Sequence, residues 1–269
     1  MSDPTNIKTP SDPRIDRLLA RSALYGMLSY FLRYPEPSVD LAAVKRASTA
    51  WEQAVATLST EPSGSDLVEP FGRLIEVFRV LETRVWCADH ERAFGHTAAG
   101  RIPAYELEYG EMYSRREPQE LADITGFYTA FGLRIAEGSS ERPDHIAVEC
   151  EFMHLLLYKE VLAIEQGADD GARTCREAAL RFLADHPGRW SPAFFRKLSG
   201  SSSDLLRAVS RFAHVYVHWD ARSQQVDLGP SDLPIRQVRD NEDSGCVSCT
   251  LGPDGPKREG QGDADTCRV

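Results

Sequence analysis

The sequence predicts an all-α protein, a bundle of two helical halves joined by a hinge loop and followed by a disordered tail. Three observations carry that prediction. Apolar residues recur at helical spacing along most of the 269 residues, and alternating strand patterns are almost absent. Clusters of Gly, Pro, Ser and Asp cut the chain into helix-length pieces. The composition, 42% hydrophobic and 27% charged, is that of a soluble globular chain long enough for a sizeable core.

Residues 1–13 are polar and proline-rich, and predict a flexible N-terminus without a secretory signal. The first helix starts after Pro13, with Ile15, Leu18, Leu19, Ser22, Tyr25, Gly26, Leu28 and Leu32 on its inner side. It ends at Tyr34, because Pro35 disfavours helix in the residue before it. Its apolar stretch is too short to cross a bilayer, so the expected location is the cytoplasm. A second helix is expected over about 39–58, then the loop EPSGSD with Ser65 or Asp66 as N-cap. A third is expected over 67–87, with Leu67, Phe71, Leu74, Phe78, Leu81 and Val85 on one face, and a short one follows at 90–94. Residues 95–103 are small and glycine-rich and form the candidate hinge. After the acidic, aromatic stretch 105–113 comes a helix over about 118–135. Pro143 suits a first helical position and opens a helix that runs to Gln166. Two more helices are expected at 172–184 and 205–221, with a short one at 194–198 capped by Ser191-Pro192. The helical core therefore spans 14–222. The remainder, 223–269, is rich in Gly, Pro and Asp and reads as a disordered tail.

Charge narrows the partners. A net charge of −10 argues against nucleic acid and favours a basic peptide or protein surface. No phosphate loop, dinucleotide fingerprint or nucleophile elbow is present, and no set of acid, base and nucleophile assembles, so no catalytic residue is assigned.

The stretch RPDHIAVECEFMHLLL, residues 142–157, puts ionisable groups at the head of a largely apolar helix. Asp144 falls in the expected first turn, where a carboxylate suits the helix dipole, and His145 and Glu149 lie four apart on one side. The bland alternative is a capped, salt-bridged helix start. Glu151 and His154 make one Glu-x-x-His element, but a di-iron bundle needs two. His214 and His218 share a helix face without a third ligand. A metal-binding helical protein built on either pair is the second hypothesis. Cys246, Cys249 and Cys267 in the tail raise a third, a redox switch. Cys87, Cys150 and Cys175 read as buried free thiols.

These motifs together resemble the TorD/DmsD/NarJ family of molybdoenzyme-specific chaperones. The resemblance rests on Pro143-Asp144-His145-Ile146 with Glu149, Glu151, Phe152 and Met153. Tyr128 with Phe131-Gly132, Phe94-Gly95, and Pro103, Tyr105, Glu106 and Tyr109 add to it. Cys150 stands where the family usually has leucine. The resemblance implies a TorD-like fold without catalysis or cofactor. It implies binding of the twin-arginine signal of an apo catalytic subunit until cofactor insertion and export, and a monomer or a domain-swapped dimer. Carried over, it assigns Pro143, Asp144 and His145 to the signal-peptide region. The chemistry of a cationic, apolar leader adds Glu149, Tyr105, Glu106, Tyr109, Tyr128 and Phe131, with Glu108 and Glu111 as further acids. On this view the ionisable groups face outward, acids set the register, and apolar burial supplies the affinity.

Overall fold

The first helix, α1 (Pro13–Leu32), begins as its sequence dictates: the Asp12 carboxylate accepts from the Arg14 amide, and Pro13 takes the first turn. In this computed structural model the described residues are 12–36, 38, 40–95, 102–110, 117–134 and 141–236. They contain ten α-helices and two 3-10 turns. After α1 come α2 (Leu41–Ala47), α3 (Thr49–Leu58), α4 (Val68–Val80) and α5 (Thr83–Phe94). The second series is α6 (Glu117–Ala130), α7 (Ile146–Glu165), α8 (Asp169–Asp185), α9 (Pro187–Leu198) and α10 (Asp204–Ser223). The 3-10 turns are Gly64–Leu67 and Glu106–Glu108.

The two series share one core. Helix α1 packs along α7 and against α3, and α4 packs on α10. Leu24, Leu28, Phe31, Phe78, Phe152, Met153, Leu156, Trp190, Phe194, Phe212 and Tyr216 belong to a single buried cluster. Burying each such side chain is worth about 1.5–3 kcal/mol, so this cluster dominates the fold's stability. The halves are also joined by charge. Arg21 of α1 meets Asp220 of α10 at 2.6 Å, both buried, and Tyr25 donates to the same carboxylate at 2.9 Å.

Several expected boundaries move. The helix expected over 39–58 breaks at Ser48, whose Oγ donates to the Lys45 carbonyl at 2.8 Å. The helix expected over 67–87 ends at Val80, and α5 then runs unbroken to Phe94. Leu81 is extended but still buried, and Lys45 Nζ takes up its free carbonyl at 2.7 Å. The apolar rhythm passes straight through that break, which is why the pattern does not reveal it.

Pro143 is not a first helical residue. Helix α7 starts three residues later, at Ile146, with His145 as N-cap: its Nδ1 accepts from the Ala147 amide at 3.2 Å. Nor is Ser191-Pro192 a helix start, because α9 begins at Pro187 and holds Pro192 within it. Pro192 has no N–H for the carbonyl four residues back, that of Gly188. That carbonyl accepts instead from Gly229 at 3.0 Å.

Gly229 lies in a segment that the sequence assigns to the disordered tail. Residues 224–236 form an ordered strap across α9, and Val226, Leu228, Leu233 and Ile235 pack against the core. Glycine is needed at both crossing points. A Cβ on Gly229 would lie 1.9 Å from the Arg189 carbonyl oxygen, and one on Gly188 would lie 2.3 Å from that of Leu183. Enrichment in Gly and Pro here signals close backbone approach. The expected tail from 237 onward, with Cys246, Cys249 and Cys267, lies outside the described residues, as do Glu111 and most of the expected hinge.

Candidate functional site

The segment carrying Pro143, Asp144 and His145 is clasped from three sides. The Tyr128 hydroxyl of α6 donates to the Pro143 carbonyl at 2.7 Å. The Glu106 amide donates to the Asp144 carbonyl at 2.8 Å, and the Ile146 amide donates to that of Ala104 at 2.9 Å. Tyr105 and His145 form an isolated antiparallel bridge and stack edge-on, with centroids 5.0 Å apart. The loop 102–110 and the start of α7 are therefore one unit.

The acids in this unit face inward, which corrects the expectation that they face solvent. Asp144 and Glu149 have no exposed surface, and Glu106 is 3% exposed. Buried charge is costly unless it is matched. Asp144 is matched by Arg142, with Nη2 at 2.7 Å and Nε at 2.9 Å, and accepts from the Leu107 amide at 3.1 Å. Burial nevertheless pushes its pKa up, outweighing Arg142. Glu106 meets Arg189 Nη2 at 2.6 Å and His186 Nδ1 at 3.1 Å. Burial disfavours its charge, but His186 and Arg189 outweigh burial and hold its pKa below the ordinary value.

Glu149 is handled differently. Its Oε2 accepts from Trp190 Nε1 at 3.0 Å, while its Oε1 finds no donor. Burial, with the Glu106 carboxylate close enough to hydrogen-bond, raises its pKa well above the ordinary value. The shift favours the neutral carboxyl and so eases the repulsion between two adjacent acids.

His145 is buried and neutral. Burial, with nearby cations, lowers its pKa to about 3. Since Nδ1 accepts from Ala147, the ring proton sits on Nε2, 3.7 Å from Glu141 Oε2.

The aromatic residues divide. Tyr109 is fully buried, donates to the Pro103 carbonyl at 2.8 Å, and lies against Trp190. Tyr128 is buried against Phe152, and Phe131 is half-buried against the same ring. Tyr105 is half-buried, with the Arg142 guanidinium 4.7 Å from its ring centre. Pro143, Glu108 and Arg142 form the rest of the half-buried rim.

All nine predicted residues thus belong to one connected region. Sequence reasoning missed Arg142, His186, Arg189 and Trp190. Arg142 stands directly before the Pro-Asp-His segment, and the other three lie in HPGRW at the start of α9. The arginines able to neutralise the acids were therefore in view, but not their spatial meeting with them.

Neither pair considered for metal binding gains a third ligand among the described residues. Glu151 pairs with Arg33, and His154 Nδ1 lies 2.8 Å from Ser22 Oγ. His218 Nδ1 lies 2.8 Å from the His214 carbonyl oxygen. Among the described residues, no three His, Cys, Asp or Glu side chains group to hold a metal. No helix among them is long and apolar enough to cross a membrane.

Residues 63–196 match the nitrate reductase delta subunit family. The chain is similar to the dimethyl sulfide dehydrogenase assembly chaperone protein of Rhodovulum sulfidophilum, 36% identical over 163 residues, or 58% of this chain and 64% of that one. It is 31% identical over 83 residues to the chlorate reductase assembly chaperone protein of Ideonella dechloratans, covering 31% and 42% of the two chains. It is 27% identical over 187 residues to the perchlorate reductase assembly chaperone protein of Dechloromonas aromatica (strain RCB), covering 66% and 78%. The chain spans less than two thirds of the length of the first two relatives. The family match takes in the clasped loop, the start of α7 and the His186–Trp190 cluster. The family match and these relatives, each named as an assembly chaperone, agree with the resemblance to the TorD/DmsD/NarJ family of molybdoenzyme assembly chaperones.

Proposed function

We propose that this protein is a cytoplasmic chaperone that binds the twin-arginine leader of an apo catalytic subunit of the dimethyl-sulfoxide-reductase type. It holds that subunit through assembly and cofactor insertion, before export. The observation that carries this reading is the union of the nine candidate residues in one clasped region. Its relatives, named as assembly chaperones of oxidoreductases, support it.

Within that region the residues take two roles. Tyr105, Pro143 and Phe131 are half-exposed and meet the peptide directly. Asp144, His145, Glu106, Glu149, Tyr109 and Tyr128 are buried and hold the rim and the backbone edge 105–110 in place. Preorganisation of this kind lowers the entropic cost of ordering a binding loop. Apolar burial holds the leader, at about 25 cal/mol per Å², and exposed acid–arginine contacts of ~0.2–1 kcal/mol each set its register.

The test is co-purification from the native cytoplasm. A molybdopterin-binding catalytic subunit should accompany the wild-type chain and be lost with Asp144→Ala/His145→Ala. Normal capture and maturation of that subunit by a folded double variant would refute the assignment of this region.

A further inference from the structure

The edge 105–110 is already occupied by the chain itself. Tyr109 and Ile235 form an isolated antiparallel bridge. The Gly110 amide donates to the Pro234 carbonyl at 2.8 Å, and the Arg236 amide donates to that of Glu108 at 2.7 Å. Ile235 packs on the core beside them. The Arg236 guanidinium, its side chain only 11% exposed, reaches Glu120 Oε2 at 3.0 Å. The strap thus lays an apolar side chain and an arginine, in extended backbone, over the aromatic and acidic edge where a cationic leader is expected. Adding a strand to a free edge is a recurrent mode of peptide capture.

This occupant is held loosely at its end. The Nε and Nη1 of Arg236 are buried without a hydrogen-bond partner among the described residues. Unpaired buried donors offset much of what the contact gains. Among the described residues two backbone hydrogen bonds fix the bridge, whereas the upstream part of the strap is seated by Gly229 on α9. The segment is built to stay near the edge and to leave it.

We infer that residues 233–236 are an internal competitor for the leader: they cover the edge in the free chaperone and are displaced when a cationic, apolar peptide adds to it. The inference rests on the peptide-binding reading above, and gives that reading a release step and a guard against unspecific capture.

The test uses the full chain and a fluorescent synthetic twin-arginine leader peptide. Arg236→Ala removes the anchor, and Gly229→Ala lifts the strap from α9. Each should lower the leader Kd at least fivefold. In the unmodified chain, leader binding should expose the Arg236 amide to hydrogen exchange while the Gly110 amide stays protected by its new partner. Leader binding that leaves the Arg236 amide protected overturns the inference, as does binding no tighter in both folded variants. In those cases peptide capture itself still stands. Failure of every form to bind leader overturns both.

Discussion

A buried carboxyl is tolerable when its charge is matched or removed, and three acids here use different means. Asp144 has a guanidinium and a backbone amide, Glu106 has Arg189 and His186, and Glu149 has its pKa raised by burial. The raised acid makes a signed prediction. Its folded pKa lies well above the unfolded value near 4.5, so its contribution to stability is full below that pH and is lost as pH rises. Glu149→Gln should therefore gain on the wild type with rising pH, by up to ~1.4 kcal/mol per unit, read from urea midpoints at pH 5 and 8. A constant difference would mean that the acid is ionised. The histidines have the opposite sign. Burial lowers His90 to about 4 and His145 to about 3, against 6.5 unfolded. Stability should fall as pH drops below 6.5, by up to ~1.4 kcal/mol per unit for each group. Replacing both with Gln should flatten that slope in the same titration.

At the scale of elements, the clasp between loop 102–110 and the start of α7 depends on Asp144. Asp144→Ala leaves the Leu107 amide without its acceptor and the Arg142 guanidinium with Glu108 alone, and should cost about 1–3 kcal/mol. Asp144→Asn keeps an acceptor and should cost less. Thermal unfolding of the two variants checks that order. The motif was legible in the sequence, as were α1, the long central helix and its end at Gly167. The inward orientation of the motif was not, because His186 and Arg189 lie 80 and 83 residues from Glu106, and spacing along a chain says nothing about such meetings. Composition misled in the same way at the strap. Gly188, Pro192 and Gly229 look like breakers, yet together they create a backbone crossing.

Across the whole molecule, the N-terminal and C-terminal helices are not independent halves. Arg21 and Asp220 join α1 to α10 within the shared core, and although burial acts against the guanidinium charge, Asp220 outweighs it and keeps its pKa above the ordinary value. Asp220→Ala should cost about 3–5 kcal/mol, as expected when one partner of a buried pair is removed. Both halves should unfold in a single transition, with tryptophan fluorescence and helical circular dichroism coinciding. On the proposed reading, recognition falls to the rim of this shared core and to the edge 105–110. Calorimetric titration of the full chain with a twin-arginine leader peptide tests this most directly. One peptide per chain should bind with a negative heat-capacity change, the mark of apolar burial, and most of the affinity should survive high salt. Absence of binding, or binding that salt abolishes, would contradict capture of a cationic, apolar leader.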